Sequence, residues 1–198
     1  MKLVLATQNP KKLKEMNEIL SHLGVEVVSE AELGVRIEVE ETGETFTDNA
    51  RLKATAVMQA TGLPAVADDS GLCVDALNGG PGVYSARFGG EGLDDKGRYT
   101  LLLEMLRGQT DRAAHFHTSI VCAFPNGDEL VCEGECPGTI AFAPMGEGAF
   151  GYDPVFFVPE LRKTFGQLTA EEKASVSHRG KALRAFAVAL DDYLKGNE

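Results

Sequence analysis

The chain has 198 residues, 43% hydrophobic and 25% charged, the balance of a globular protein long enough to bury a full core. With 30 acidic residues against 19 Lys and Arg the formal charge is −11, which argues against a surface built for a polyphosphate backbone and so against a nucleic-acid-binding module. No apolar stretch reaches the length of a membrane span, and the opening MKLVLATQNP is too short an apolar run for a secretion signal, so a cytoplasmic location without a membrane partner is expected.

Residues 2–7 read as a short buried strand, and 10–23 as a helix with Leu13, Met16, Leu20 and Leu23 on one face and Gly24 as its stop. Between them lie Thr7, Gln8, Asn9 and Pro10, followed by Lys11, Lys12 and Lys14. Pro10 suits the first helical position, whose N–H needs no partner. Lysines crowding the end of a helix that already carries its positive pole are unfavourable for the helix alone, and make sense if an anion binds there. Residues 25–29 form a second strand. The acidic pair Glu40 and Glu41 then opens a long helix in ETFTDNARLKATAVMQATG, which Gly62-Leu63-Pro64 ends. On that helix Ala50, Lys53, Ala54 and Val57 recur at helical spacing. Lys53 either lays its stem along the packed face or reaches an anion. The acidic pair either complements the helix start or belongs to a metal site.

PAVADDSG reads as a short strand breaking into a turn. Adjacent Asp68 and Asp69 there are either an Asx-type turn or a pair of carboxylates neutralised by a cation. Mg²⁺ is the natural choice, because it accepts a few carboxylates together with water and phosphate oxygens. GGPGVYSARFGGEG reads as loop, and DDKGRYTLLLEMLRG as a helix ending at Gly108. A strand, a turn at Pro125-Asn126-Gly127 and a second strand follow. The glycine-rich GEGAFGYDPVFF presents Phe150, Gly151, Tyr152 and Asp153 before an apolar strand. It either admits a flat ligand on which Phe150 stacks, or plugs the core with its rings. Thr169 and Glu172 have capping-box spacing, and Lys173, Ser177, His178 and Arg179 lead into a last helix with Leu183, Phe186, Ala187, Leu190 and Leu194 inward. His178 and Arg179 oppose that helix's dipole, so a ligand acceptor is attractive there too. Cys132 and Cys136 lack the second pair a zinc site needs, and no P-loop is present. The whole reads as one mixed α/β domain over residues 1–198.

Six stretches taken in order, ATQNPKKLKE, EETGETFTDNARLKA, ADDSGL, GGPGVYSARF, FGYDPVFF and EEKASVSHRGKAL, closely resemble the inosine triphosphate pyrophosphatase family. The resemblance spans nearly the whole chain. It implies an elongated mixed α/β fold, with a central sheet, flanking helices and two lobes around a substrate cleft, usually as a homodimer. It also implies Mg²⁺-dependent cleavage of ITP, dITP and XTP to the monophosphate and pyrophosphate. On this resemblance Thr7, Gln8, Asn9, Pro10, Lys11 and Lys12 form the triphosphate loop, with Asn9, Lys12 and Lys53 on phosphate oxygens. Glu40 and Asp69 are the metal carboxylates, Asp69 is also the proton acceptor, and Ser70 lies on the phosphate side. Phe150, Gly151, Tyr152, Asp153, Lys173, His178 and Arg179 correspond to the base pocket. The loop departs from many relatives in carrying Gln8, Pro10 and Lys11 where they have glycines. A Maf-type pyrophosphatase of other base preference resembles this fold, but the SHRG and FGYD stretches favour the inosine type. A non-catalytic nucleotide sensor is opposed by carboxylates placed where only a bridging metal would make phosphate welcome.

Overall fold

In the computed structural model, which describes residues 1–7, 9–146 and 150–196, the chain runs β1 (Lys2–Leu5), α1 (Pro10–Leu20), β2 (Glu26–Ser29), α2 (Phe46–Thr61), β3 (Ala65–Val74), α3 (Asp95–Met105), β4 (Ala113–Ala123), β5 (Glu129–Ile140), β6 (Phe156–Val158), β7 (Lys163–Thr164), α4 (Ala170–Val176) and α5 (His178–Gly196). The strands form one mixed sheet in the order β2-β1-β3-β4-β5-β6-β7. β1 pairs in parallel with β2 and β3, and β6 pairs antiparallel with β5 and β7.

Two compact units share this chain: Met1–Asp69 with Thr118–Gly134 and the chain from Lys181, and Ser70–His117 with Glu135–Gly180. In the first, strand alternation sorts the core by face. Leu3, Leu5 and Val66 pack with Met16 and Leu20 of α1 and with Leu183, Phe186 and Leu190 of α5. Ala67 packs with Ala50 and Ala54 of α2, and Val4 and Ala65 with Val57. Arg51 of α2 also grips Glu129 at the start of β5 through Nε and Nη2, both at 2.9 Å. In the second unit Leu72, Leu102, Leu106, Phe116, Tyr152, Phe156 and Phe165 form a core of their own. The four cysteines are free thiols.

Four sequence expectations change. The first helix gives way after Leu20 to a 3₁₀ turn at Ser21–Leu23, and Gly24 follows in the left-handed region at φ 64°. Glu40 and Glu41 do not open α2. They lie in coil, and the helix starts after Thr45, where a capping box with Asp48 satisfies the end (Asp48 N–H to Thr45 Oγ1, 3.1 Å; Thr45 N–H to Asp48 Oδ2, 3.2 Å). The third change is at Asp68, where β3 does not turn. It continues to Val74: β1 pairs with it only at Ala65 and Val66, and beyond them β4, its other neighbour in the sheet, supplies a ladder in place of the turn. Finally, the glycine-rich segment after it contains a 3₁₀ helix at Gly82–Arg87, and Pro81 makes an isolated bridge with Cys73.

Candidate active site

Continuation of β3 through Asp68 and Asp69 sends the two side chains to opposite faces of the sheet. Each then meets its own lysine. Asp68, 5% exposed, accepts from Lys12 Nζ of α1 at 2.8 Å. Asp69 faces α2, where Lys53 Nζ lies 3.4 Å from its Oδ1 and Asn49 Nδ2 donates to its Oδ2 at 3.2 Å. Each of the adjacent carboxylates therefore has a lysine on its own face of the sheet.

Lys53 is the node of this cluster. Besides Asp69, its ammonium donates to Glu41 Oε1 at 2.8 Å and to the Asp68 carbonyl at 2.9 Å. Burial alone would lower its pKa, but Asp69, Glu41 and Asp68 outweigh burial and raise it, so the ammonium stays charged. Burial has the opposite consequence for Asp69. It pushes the carboxyl above the usual carboxylate range, and Glu41 adds to the rise, while Lys53 and Asn49 work against it. Asn49 is fully buried and holds the segment before α2 as well, its Oδ1 accepting from Gly43 N–H at 2.8 Å. Gly43 is needed there: a Cβ would stand 2.6 Å from Asp48 Cβ and 2.7 Å from Asn49 Oδ1.

At the start of α1, Asn9 caps the helix by accepting from Lys11 N–H at 3.0 Å, and Thr7 Oγ1 accepts from Asn9 N–H at 3.2 Å. Pro10 is the first helical residue and no acidic side chain occupies the first turn. Thr7, Asn9 and Pro10 line a cavity of about 460 Å³. Lys11 is exposed, and Gln8 lies outside the described residues. Glu40 is exposed as well, so of the acidic pair it is Glu41 that reaches the lysine node.

The other expected residues belong to the second unit. Ser70 follows Asp69 on β3 and is half-buried. Phe150 is 80% exposed, whereas Tyr152 is buried and donates its hydroxyl to the Ser85 carbonyl at 2.8 Å. Of the two readings of this loop, Phe150 fits a ring offered to a ligand, and Tyr152 fits a ring that plugs the core. Asp153 pairs with Lys173. Burial nevertheless holds the Asp153 carboxyl above the usual range, against the pull of Lys173. The Lys173 ammonium also sits 5.2 Å from the centre of the Phe165 ring. His178 stacks on Phe116, with centroids 4.7 Å apart and planes within 11°. Thr169 and Glu172 form the expected capping box.

These contacts, a cluster of lysines and carboxylates at one strand and a loop–helix set of donors and rings, occur in a chain whose sequence profile matches the Ham1 family over residues 3–189. The chain belongs to the Ham1 family. It is similar to a dITP/XTP pyrophosphatase of an Exiguobacterium species, 49% identical over 99% of this chain and all of the relative. A second dITP/XTP pyrophosphatase, from Desulforamulus reducens, is 54% identical over 93% of this chain and 92% of the relative. The solved structure of a HAM1 protein from Coxiella burnetii superposes with a TM-score of 0.93 at 42% identity, covering 97% of this chain and 99% of that one. Ham1 membership agrees with the mixed sheet and flanking helices expected from the six motifs. Asn49 and Glu41 are the residues that motif reading left without a role. Asn49 lies one helical turn before Lys53, which is the signal that could have placed it.

Proposed function

We propose that this chain is a Mg²⁺-dependent pyrophosphatase that converts dITP, XTP and ITP to the monophosphate and pyrophosphate, acting in the cytoplasm as a homodimer. The observation that carries the reading is the node at Lys53, where a half-buried ammonium gathers Glu41 and Asp69 while Asn49 takes the other oxygen of Asp69. Curated relatives named for dITP and XTP hydrolysis support the substrate class. Among the described residues no helix is long and apolar enough to cross a membrane.

The donor set suits Mg²⁺. Among the described residues no group of three or more His, Cys, Asp or Glu could hold a metal alone. Mg²⁺ is commonly bound by one or two carboxylates, with water and substrate phosphate completing its shell. Asp69 would hold it with one carboxylate of the acidic pair: Glu40 by the resemblance, Glu41 by its convergence with Asp69 on Lys53. When bound, the ion offsets the charge of the triphosphate and polarises the phosphoryl group under attack.

Asp69 is the proton acceptor for the attacking water. Lys53 and Asn49 each fix one of its oxygens, which holds the carboxylate in place to take the proton. Lys12 spends one of its donors on Asp68 and keeps others for phosphate oxygens. With Asn9, Lys11 and the positive end of the α1 dipole it receives the outer phosphates, so pyrophosphate is the group that leaves. For the base, Phe150 supplies a stacking face, and Lys173, His178 and Arg179 supply donors for the O6 acceptor shared by hypoxanthine and xanthine. Adenine presents an amino donor at that position, and donor against donor leaves a bond unmade. Asp69→Asn tests the assignment. Turnover of dITP falls about 100-fold or more while the dITP dissociation constant stays within about threefold. Near wild-type turnover would remove Asp69 from the chemistry.

A further inference from the structure

The turn at residues 150–153 is closed by its own backbone, Asp153 N–H donating to the Phe150 carbonyl at 3.2 Å. Several tethers hold its second half: the Tyr152 hydroxyl on the Ser85 carbonyl, the Asp153 side chain on Lys173, and Gly166 N–H on the Asp153 carbonyl at 2.9 Å. Its first half, which carries the exposed Phe150 ring, is held differently. Gly151 sits in the left-handed region at φ 60°, and its N–H donates to Asp95 Oδ2 at 2.9 Å. Asp95 is the first residue of α3, behind the N-cap Asp94, and its other oxygen lies 3.3 Å from Arg98 Nη1. α3 is seated by Leu102, which is fully buried. One carboxylate thus joins a rigid helix start to the peptide that follows Phe150.

We infer that Asp95 is a positioning residue for the nucleobase, fixing the Gly151 peptide and through it the orientation of Phe150. This rests on the reading that the 150–153 turn takes the base. An ionised acceptor makes a stronger bond to an amide than a neutral one, and a glycine at positive φ has wide freedom once its N–H is released. Loss of the bond therefore loosens the ring that stacks on the base without touching the groups that act on phosphate. Such a change appears in substrate binding rather than in turnover.

The experiment is a double-mutant cycle between Asp95 and Phe150, read as KM and kcat for dITP together with the melting temperature. Asp95→Ala raises KM about 10-fold with kcat within about twofold, and Asp95→Asn, which keeps an acceptor oxygen, returns KM to within about threefold of wild type. In the Phe150→Ala background Asp95→Ala adds no more than about twofold, because the ring it positions is gone. If Phe150→Ala raises KM and Asp95→Ala does not, the inference is overturned and the base reading stands. If Phe150→Ala leaves KM unchanged, the base reading itself fails and the inference with it. A variant whose kcat, KM and melting temperature all deteriorate, with no rescue by Asn, would show Asp95 to be structural only and equally overturn the proposal.

Discussion

Replacing Lys53 by Met removes the cation while keeping an unbranched apolar side chain at that position of α2. The carboxylates of Glu41 and Asp69 then lose their shared partner, and the Asp68 carbonyl loses a donor. Removing one partner of a buried ion pair costs about 3–5 kcal/mol. The side chains of Lys53, Asp69 and Glu41 are 19%, 14% and 29% exposed, so water recovers part of this and about 2–4 kcal/mol remains. For a chain of this length that corresponds to a fall in Tm of roughly 5–12 °C. The pH dependence has a defined sign. Without Lys53, burial and Glu41 raise the Asp69 pKa against Asn49 alone, so the folded value climbs further above the unfolded one. The variant is therefore most destabilised at pH above that folded value and regains stability as the pH is lowered and Asp69 takes up its proton. Urea unfolding of wild type, Lys53→Met, Asp69→Asn and the double variant measures this directly. The double variant should be more stable than Lys53→Met, with a coupling of about 1 kcal/mol or more. Additive losses, or a Lys53→Met penalty below about 0.5 kcal/mol at neutral pH, would refute the node as the feature organising the site.

Gly43→Ala forces a Cβ into contact with Asp48 and Asn49, and should cost about 1–3 kcal/mol in urea unfolding and reduce dITP turnover by displacing Asn49 from Asp69. A variant as stable and active as wild type would show that the segment before α2 yields freely. For Asp153, the folded chain holds the carboxyl proton more tightly than the unfolded chain does. Its contribution to stability is therefore fullest below the unfolded pKa of about 3.9 and is lost as pH rises through the folded value, so the urea midpoint of wild type minus that of Asp153→Asn should fall as pH rises from about 3.5 to 5.5. A difference that grows over that interval would contradict burial as the dominant influence. Arg179→Leu should lose dITP turnover more than ATP turnover, whereas equal losses would move Arg179 from the base to the phosphates.

What the sequence made legible follows period and punctuation. The apolar spacing of α2 and α5 marks both helices, Gly24 and Gly62 mark stops, and Pro125-Asn126-Gly127 marks the turn that joins β4 to β5. The role of Asp68 and Asp69 was legible only in part. Asp-Asp-Ser-Gly has the composition of a turn, and nothing local reveals that the segment continues a strand beside β4 and stays extended. Once it is extended, alternation separates the two carboxylates and gives each a lysine. The choice between Glu40 and Glu41 was invisible for a related reason: coil has no period, so which of two neighbours turns inward depends on where Lys53 lies. The contact of Asp95 with Gly151 joins residues 56 apart in sequence, beyond any spacing rule. Motif resemblance supplied what periodicity could not, by marking the loop before α1 and the SHRG stretch as motifs of one family.

The proposed reaction is cleavage between the α and β phosphates of inosine- and xanthine-type nucleotides with the help of a divalent cation. The most direct measurement follows pyrophosphate and orthophosphate released from dITP, XTP, ITP, ATP, GTP and dTTP, in Mg²⁺ and after EDTA. Pyrophosphate is the expected phosphate product, with dITP, XTP and ITP turned over at least about 100-fold faster than ATP, and with turnover abolished by EDTA and restored by Mg²⁺. Release of orthophosphate with a nucleoside diphosphate, preference for dTTP, or full activity in EDTA would contradict it.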